Sequence, residues 1–404
     1  MVHDPITGAL QQAVDAGDLA GVATLTWRAG QPAEVRCAGR RDLDAGDLAQ
    51  RDTIFRIASM TKPVTSVAAL QLWEEGRIAL DEPITRWAPE FAAPRVMRRA
   101  GGPLDDTAPA PRPITFGDLL THRSGLTDGA LASGPLAEGY AALGGDIDSP
   151  LAPDRWIAEL ARLPLVAPPG AAFHYGHSTD LLGLLIARIE GRTLGEVLRR
   201  RLFDPLGMGD TGFCVPRSER GRRAAAHGFG PDDLLVRLDA PPGGAALPER
   251  PDDHPFEGGG AGLWSTVDDY LAFARLFVEG GASGRTRILK PETVARMTTN
   301  QLTPEQRAGA ELLGTRPFAA GHGFGLGVAV VTEPERAEVF RCGGGAGSVG
   351  WPGAYGGWWQ ADPNDRSVLV FLTHNMVELE QLARGVGLGV YAAIATFQRL
   401  AVRA

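Results

Sequence analysis

Ser59-Met60-Thr61-Lys62 sets a hydroxyl and an amine three residues apart, and at the start of a helix positions i and i+3 share one face. A neutral amine in that place can take the serine proton and leave an oxygen nucleophile for acyl transfer. Burial and the positive end of the helix dipole both favour the neutral lysine. Arginine could not serve, because it keeps its proton at any working pH. The chain holds only two lysines, Lys62 and Lys290, among 40 basic residues, so a lysine retained here invites a chemical reading. With eleven serines and two lysines in 404 residues, a chance Ser-x-x-Lys arises in roughly one chain in twenty of this composition. The plainer alternative is an N-cap serine followed by a solvated lysine.

Two further segments could complete such a site. Tyr175-Gly176-His177 follows the turn Ala167-Pro168-Pro169-Gly170 and precedes a helix that begins near Ser178. A tyrosine beside Lys62 would have its phenolate favoured by the cation and could accept the serine proton, although a lone tyrosine is more often a half-buried core aromatic. Gly347-Ser348-Val349-Gly350-Trp351-Pro352-Gly353-Ala354-Tyr355-Gly356 leads into a strand at Gly357-Trp358-Trp359. Glycines there let a strand backbone approach a ligand, so an N–H near Ala354 could join that of Ser59 as an oxyanion hole. A glycine-rich hairpin is the bland reading of the same residues.

Other constellations carry less. Ala346-Gly347-Ser348-Val349-Gly350 is one residue short of a nucleophile elbow, and Pro352 opposes the helix that an elbow requires. Gly345, Gly347 and Gly350 match a dinucleotide fingerprint, again without a following helix. His174, His177 and Asp180 recur every three residues and could cup a metal, but Gly176 and the preceding prolines favour an irregular polar rim. His122 is expected to pack in the Thr121–Gly125 turn, and Trp264, Trp358 and Trp359 to be wall or core.

The elements that must position these residues are legible in outline. A helix over Ile6–Ala16 precedes a hairpin of Val22–Trp27 and Glu34–Gly39. From Ser59 to Glu75 the apolar stripe Val64, Val67, Ala68, Leu72 predicts a helix, with Pro63 in its first turn and Gly76 at its end. Helices follow over Pro153–Leu163 and Ser178–Glu190, with a capping box at Thr193-Leu194-Gly195-Glu196. Gly101–Pro113 and Pro231–Gly262 read as long loops of the kind that wall a binding site. Thr266–Glu279 is helical, Phe324–Val331, Glu338–Cys342, Ala354–Gln360 and Val368–Thr373 read as strands, and Val377–Leu400 closes the chain as a helix. The order implies a discontinuous α/β domain, residues 1–84 and 256–404, around a mainly helical domain, residues 85–255, with the active site between them.

Composition fits this size. Hydrophobic residues at 44% and charged residues at 22% exclude wholesale disorder, collagen and coiled coil. A net charge of −8 with scattered basic residues gives no footprint for nucleic acid. The uncharged stretch Gly385–Gln398 is short of the about 20 residues that span a bilayer, so no membrane partner is expected. Arg28 is the first basic residue, which lacks the pattern of a signal peptide and leads us to expect a cytoplasmic protein. Cys37, Cys214 and Cys342 are odd in number and read as reduced, mostly buried thiols.

The three chemical segments, in this order, resemble the serine β-lactamase and penicillin-binding-protein superfamily, and within it class C β-lactamases and family VIII carboxylesterases. Phe55-Arg56-Ile57-Ala58, Leu119–Leu126, Asp180-Leu181-Leu182-Gly183 and Gly260–Ser265 support the likeness, which spans about residues 10 to 400. It implies an antiparallel sheet flanked by helices, plus an all-helical domain. It further implies that Ser59 is the acyl-forming nucleophile, that Lys62 and Tyr175 form its base network, and that the amides of Ser59 and Ala354 polarise the carbonyl. The family's lysine-threonine-glycine is here Trp351-Pro352-Gly353, so a charge that holds the substrate carboxylate in the lactamases is replaced by an indole. The family's asparagine two after the tyrosine is His177. Trp351, Gly353, His177 and Tyr355 are therefore expected to contact substrate. Both departures resemble the esterase branch and imply small or medium carboxylic esters as substrate, with no metal or organic cofactor. The rivals are a β-lactamase, D-amino-acid peptidase or acyltransferase on this fold, and a non-catalytic ligand-binding protein.

Overall fold

The computed structural model describes residues 4–238, 254–312, 314–337 and 344–403. Strands from both ends of the chain build one seven-stranded antiparallel sheet. They are β1 (Gly21–Arg28), β2 (Glu34–Gly39), β3 (His322–Phe324), β4 (Ala329–Val331), β5 (Val349–Gly353), β6 (Gly357–Asp362) and β7 (Ser367–Thr373). Their order across the sheet is β3-β4-β5-β6-β7-β1-β2, and β1 pairs with β7 so that Leu25 faces Val370. The principal helices are α1 (Pro5–Asp15), α2 (Thr61–Glu74), α3 (Ser178–Glu190), α4 (Val267–Ala274) and α5 (Leu388–Arg403).

Side chains alternate across each strand, so one sequence feeds two apolar layers. Val22, Trp358, Leu369 and Phe371 pack with Ile6 and Leu10 of α1 and Ile394 and Phe397 of α5. Ala23, Leu25, Trp359, Val368 and Val370 belong to the larger core, with Val64 and Val67 of α2 and Tyr270 and Phe273 of α4. Burial on both faces explains why β7 is apolar almost throughout. Pro63 sits in the first turn of α2, where its missing N–H is not needed, and Gly76 at φ 69° follows the helix end. Every residue of α2 from Thr61 to Leu70 is buried, because the helix packs against α3 and shares one apolar core with the sheet. The capping box at Thr193 and Glu196 forms as expected.

The structure departs from the sequence expectations where glycine interrupts an apolar run. Phe324–Val331 is two strands: Gly325 N–H donates to Val328 O at 2.8 Å across a turn, and Gly327 stands at φ 88°. A Cβ on Gly327 would meet Ser66 Oγ at 2.1 Å, so this turn lies directly on α2. The strand expected from Ala354 begins at Gly357, and the glycine-rich segment before it is itself β5. The closing helix is divided into Leu379–Ala383 and α5 by Gly385 and Gly387, both at positive φ. The Pro153 helix ends at Leu160, and Gly101–Pro113 carries a short strand, Thr107–Pro109, paired with Arg95–Met97. Glu338–Cys342, including Cys342, and part of the Pro231–Gly262 loop lie outside the described residues. Among the described residues no helix is long and apolar enough to cross a membrane.

Candidate active site

Ser59 stands at a sharp corner. Ala58–Met60 form one 3-10 turn and α2 begins at Thr61. Ala58 is at φ 42°, a left-handed conformation that costs a non-glycine residue about 1–3 kcal/mol. The surroundings hold it there. Ile57 N–H donates to Leu263 O at 3.0 Å, Leu263 N–H to Thr61 Oγ1 at 3.1 Å, and the Tyr270 hydroxyl to Met60 O at 2.8 Å. Ser59 is left half-buried between fully buried neighbours.

Lys62 is 4% exposed, so it is not the solvated lysine of the capping alternative. Its Nζ donates to Ser59 Oγ at 3.3 Å and to Gly260 O at 2.8 Å. It also lies over the Tyr175 ring, 4.5 Å from the ring centroid. The three side chains picked from the sequence thus meet, although the tyrosine offers its face to the amine.

Gly176 makes that placement possible: it stands at φ 146°, and a Cβ there would be 2.2 Å from the Thr127 carbonyl carbon. Thr127 Oγ1 donates to Tyr175 O, and His177 N–H to Thr127 O, each at 3.2 Å. His122 backs the tyrosine, ring to ring at 4.8 Å. Burial and the nearby Lys62 charge hold the His122 imidazole well below its usual range, so it packs as a neutral ring. Sequence reasoning gave His122 only a turn, and no spacing signal points to this contact.

Trp351 corrects an expectation. It is 1% exposed, set against Phe324 at 5.2 Å and Tyr175 at 5.4 Å, and does not present open surface to a substrate. A buried indole needs a partner for its N–H, and Trp351 Nε1 donates to the Tyr175 hydroxyl at 3.2 Å. Trp351→Phe keeps the ring and removes this donor. One such bond is worth about 0.5–1.5 kcal/mol, so kcat for any acyl transfer through Ser59 is expected to fall up to about tenfold. Steady-state kinetics beside a thermal melt check it, and an unchanged kcat would show that the phenol needs no such anchor.

The end of β5 lies against the nucleophile corner because glycine permits it. A Cβ on Gly353 would stand 2.5 Å from Ile57 O, and one on Gly357 2.8 Å from Met60 Sδ. Gly353 is thus packed against the corner itself. Ala354 is exposed in the turn that follows, closed by Gly356 N–H to Gly353 O at 3.0 Å. Tyr355 corrects a second expectation: it turns inward, 1% exposed, onto Ala58 and Ala261, with His374 at 4.4 Å. Burial pushes its hydroxyl up to about 12.

His177 is the third correction. Only 2% exposed, it stacks on Tyr140 and meets Trp156 edge-on rather than standing open to a substrate. Its Nδ1 is 2.9 Å from Asp180 Oδ2 and its Nε2 3.5 Å from Asp146 Oδ1. Burial alone would lower its pKa, but the two carboxylates outweigh burial and push it up to about 10. The spacing of His177 and Asp180, three apart at a helix start, was the readable signal for this pair. Beside them, burial and the Asp146 carboxylate push Asp128 up to about 7. A histidine whose pKa is raised on folding stabilises fully below its unfolded value near 6.5, and that contribution is lost as pH rises through about 10. The unfolding free energy of the wild type should therefore fall more steeply between pH 7 and 10 than that of His177→Asn, as read by urea titration. Parallel curves would contradict this.

Ser348 is fully buried and leads into a strand, so it is no nucleophile elbow. Among the described residues no cluster of three His, Cys, Asp or Glu side chains could hold a metal ion.

The Beta-lactamase family profile matches residues 6–388. Protein Rv1367c of Mycobacterium tuberculosis is 44% identical over 370 residues, covering 92% of this chain and 89% of its own. Esterase EstB of Burkholderia gladioli is 31% identical over 378 residues, covering 91% and 89%. Among solved structures, EstCE1, a hydrolase with promiscuous acyltransferase activity, superposes with a TM-score of 0.75 at 27% identity, covering 96% of this chain and 97% of its own. With the serine–lysine pair set beside an antiparallel sheet and the likeness running nearly end to end, the chain belongs to the Beta-lactamase family, among the serine hydrolases and acyltransferases of the β-lactamase and penicillin-binding-protein superfamily.

Proposed function

We propose that this protein is a carboxylesterase that cleaves esters of small to medium acyl groups through an acyl-enzyme on Ser59. The observation that carries the reading is the hydrogen bond between Ser59 Oγ and a buried Lys62 amine. Lys62 takes the serine proton as Oγ bonds to the ester carbonyl carbon, and the carbonyl oxygen becomes an anion facing the N–H groups of Ser59 and Ala354. Collapse breaks the bond to the alcohol, which leaves with the proton from Lys62. Water then repeats the sequence in reverse and frees the acid. Tyr175 covers the amine with its ring, and its hydroxyl accepts from Trp351 Nε1, which supports a place for this phenol beside the base. An indole at position 351, where lactamases carry a lysine, leaves no anion anchor there and favours uncharged substrates.

The likeness to esterase EstB supports an ester, and the likeness to EstCE1, a hydrolase with promiscuous acyltransferase activity, supports occasional acyl transfer to an acceptor other than water. The test compares p-nitrophenyl esters of graded chain length with a chromogenic cephalosporin. Short and medium esters should be turned over with a far higher kcat/KM than the cephalosporin. Efficient cephalosporin hydrolysis with negligible ester cleavage would assign the chain to the antibiotic-hydrolysing branch instead.

A further inference from the structure

The Lys62 amine is steered by a backbone carbonyl, and that stretch of backbone is held by a buried carboxylate. Gly260 O accepts from Lys62 Nζ at 2.8 Å, while Gly260 N–H donates to Asp180 Oδ1 at 2.7 Å. One residue earlier, Gly259 O accepts from Thr65 Oγ1 at 2.8 Å. Thr65 lies one turn beyond Lys62 on α2, and Asp180 lies in the first turn of α3, so both helices clamp the peptide between residues 259 and 260. Glycine is what lets it fit: a Cβ on Gly259 would stand 3.1 Å from Gly183 Cα and from Thr65 Cγ2, and one on Gly260 2.5 Å from Asp180 Oδ2. The second carboxylate oxygen of Asp180 is bonded to His177 Nδ1 at 2.9 Å, and His177 in turn faces Asp146. Asp180 is 3% exposed, and a carboxylate that deep is fixed by its partners, since losing one leaves charge uncompensated.

We propose that Asp180 is a positioning residue for Lys62, acting through the Gly260 backbone, with His177 holding the carboxylate in reach of Gly260. The proposal rests on the reading of Lys62 as acceptor of the Ser59 proton. A lysine side chain is a flexible four-carbon stem, and a carbonyl fixed at 2.8 Å restricts Nζ to the arc that meets Ser59. Releasing the Gly260 turn frees the amine to drift, and a misplacement of about 1 Å costs about a hundredfold in rate. Lys62 also lies over Tyr175, and its charge is felt at His122 and Asp128; none of these belongs to the 258–262 turn, so the effect of that turn can be isolated.

The test assays full-length wild type, Asp180→Ala, Asp180→Asn and Gly260→Ala with p-nitrophenyl butyrate, beside thermal melts. Asparagine keeps an oxygen for the Gly260 N–H, alanine does not, and a methyl at Gly260 displaces the contact with every charge in place. In Asp180→Ala kcat should fall about a hundredfold with KM within about threefold, and Asp180→Asn should recover most of the loss. Gly260→Ala should resemble Asp180→Ala. A folded Asp180→Ala with wild-type kcat overturns the proposal, as does an Asp180→Asn no better than alanine. If Asp180→Ala does not fold, Gly260→Ala and the milder Thr65→Val decide: wild-type kcat in both overturns it, and a shared fall in kcat at unchanged KM supports it. Ser59→Ala serves as the separate control, since activity there sinks the reading of the site itself.

Discussion

Ser59→Ala should lose ester hydrolysis, with kcat/KM for p-nitrophenyl butyrate lower by about 10⁴-fold or more, the scale on which removal of a covalent nucleophile acts. The size follows from the site: Lys62 Nζ has Ser59 Oγ as its hydroxyl partner, and no oxygen at position 59 means no acyl-enzyme. The variant deletes one atom from a half-buried corner held by backbone bonds of Ile57, Leu263 and Met60, so its melting temperature should stay near that of the wild type. A loss of activity with the fold intact is the expected combination. Activity within tenfold of the wild type would remove Ser59 from its role.

Lys62→Arg carries the second large effect. Arginine keeps a positive charge and hydrogen-bond donors at the same place but cannot accept a proton. If Lys62 works as a general base, kcat should fall by about 10²–10⁴-fold. A site that required only a cation would be nearly indifferent to the change. Because Lys62 is almost wholly enclosed by Tyr175 and the Gly260 turn, the longer side chain also crowds the site, and a melt and a circular dichroism spectrum must accompany the kinetics. A folded Lys62→Arg with kcat within a few-fold of the wild type would show that charge is what the lysine supplies.

The part of this site that was legible in the sequence is the part that is local. Ser59 and Lys62 lie one turn apart, so their meeting follows from helix geometry before any tertiary contact is known. Tyr175 is more than a hundred residues away, and the resemblance, not the spacing, brought it to Lys62. Gly260 O was invisible because a backbone acceptor has no residue type to mark it; only the close approach of Gly259 and Gly260 to α2 and α3 explains the glycine run. Trp351 was expected to contact substrate because a sequence cannot show that it is buried in one cluster with Phe173, Phe318 and Phe324. His177 was misread for a related reason: its partner Asp180 was in plain view three residues on, but burial between Tyr140 and Trp156 was not.

The fold shows the same division. The hairpin of β1 and β2, the α2 helix and Ser178–Glu190 were readable from period and end signals. The division of Phe324–Val331 was missed because Val328 and Ala329 continue the apolar run across a turn that depends on Gly327 meeting Ser66 on another element. The closing helix was overextended because its apolar period runs past Gly385 and Gly387, whose positive φ breaks it.

The most direct measurement is covalent: the protein is treated with a fluorophosphonate, digested, and the modified peptide identified by mass spectrometry. The mechanism predicts one adduct per chain, on Ser59, formed far more slowly in Lys62→Arg and absent from Ser59→Ala. An adduct on Ser348 or any other residue, or an esterase that stays active and unlabelled, would contradict it.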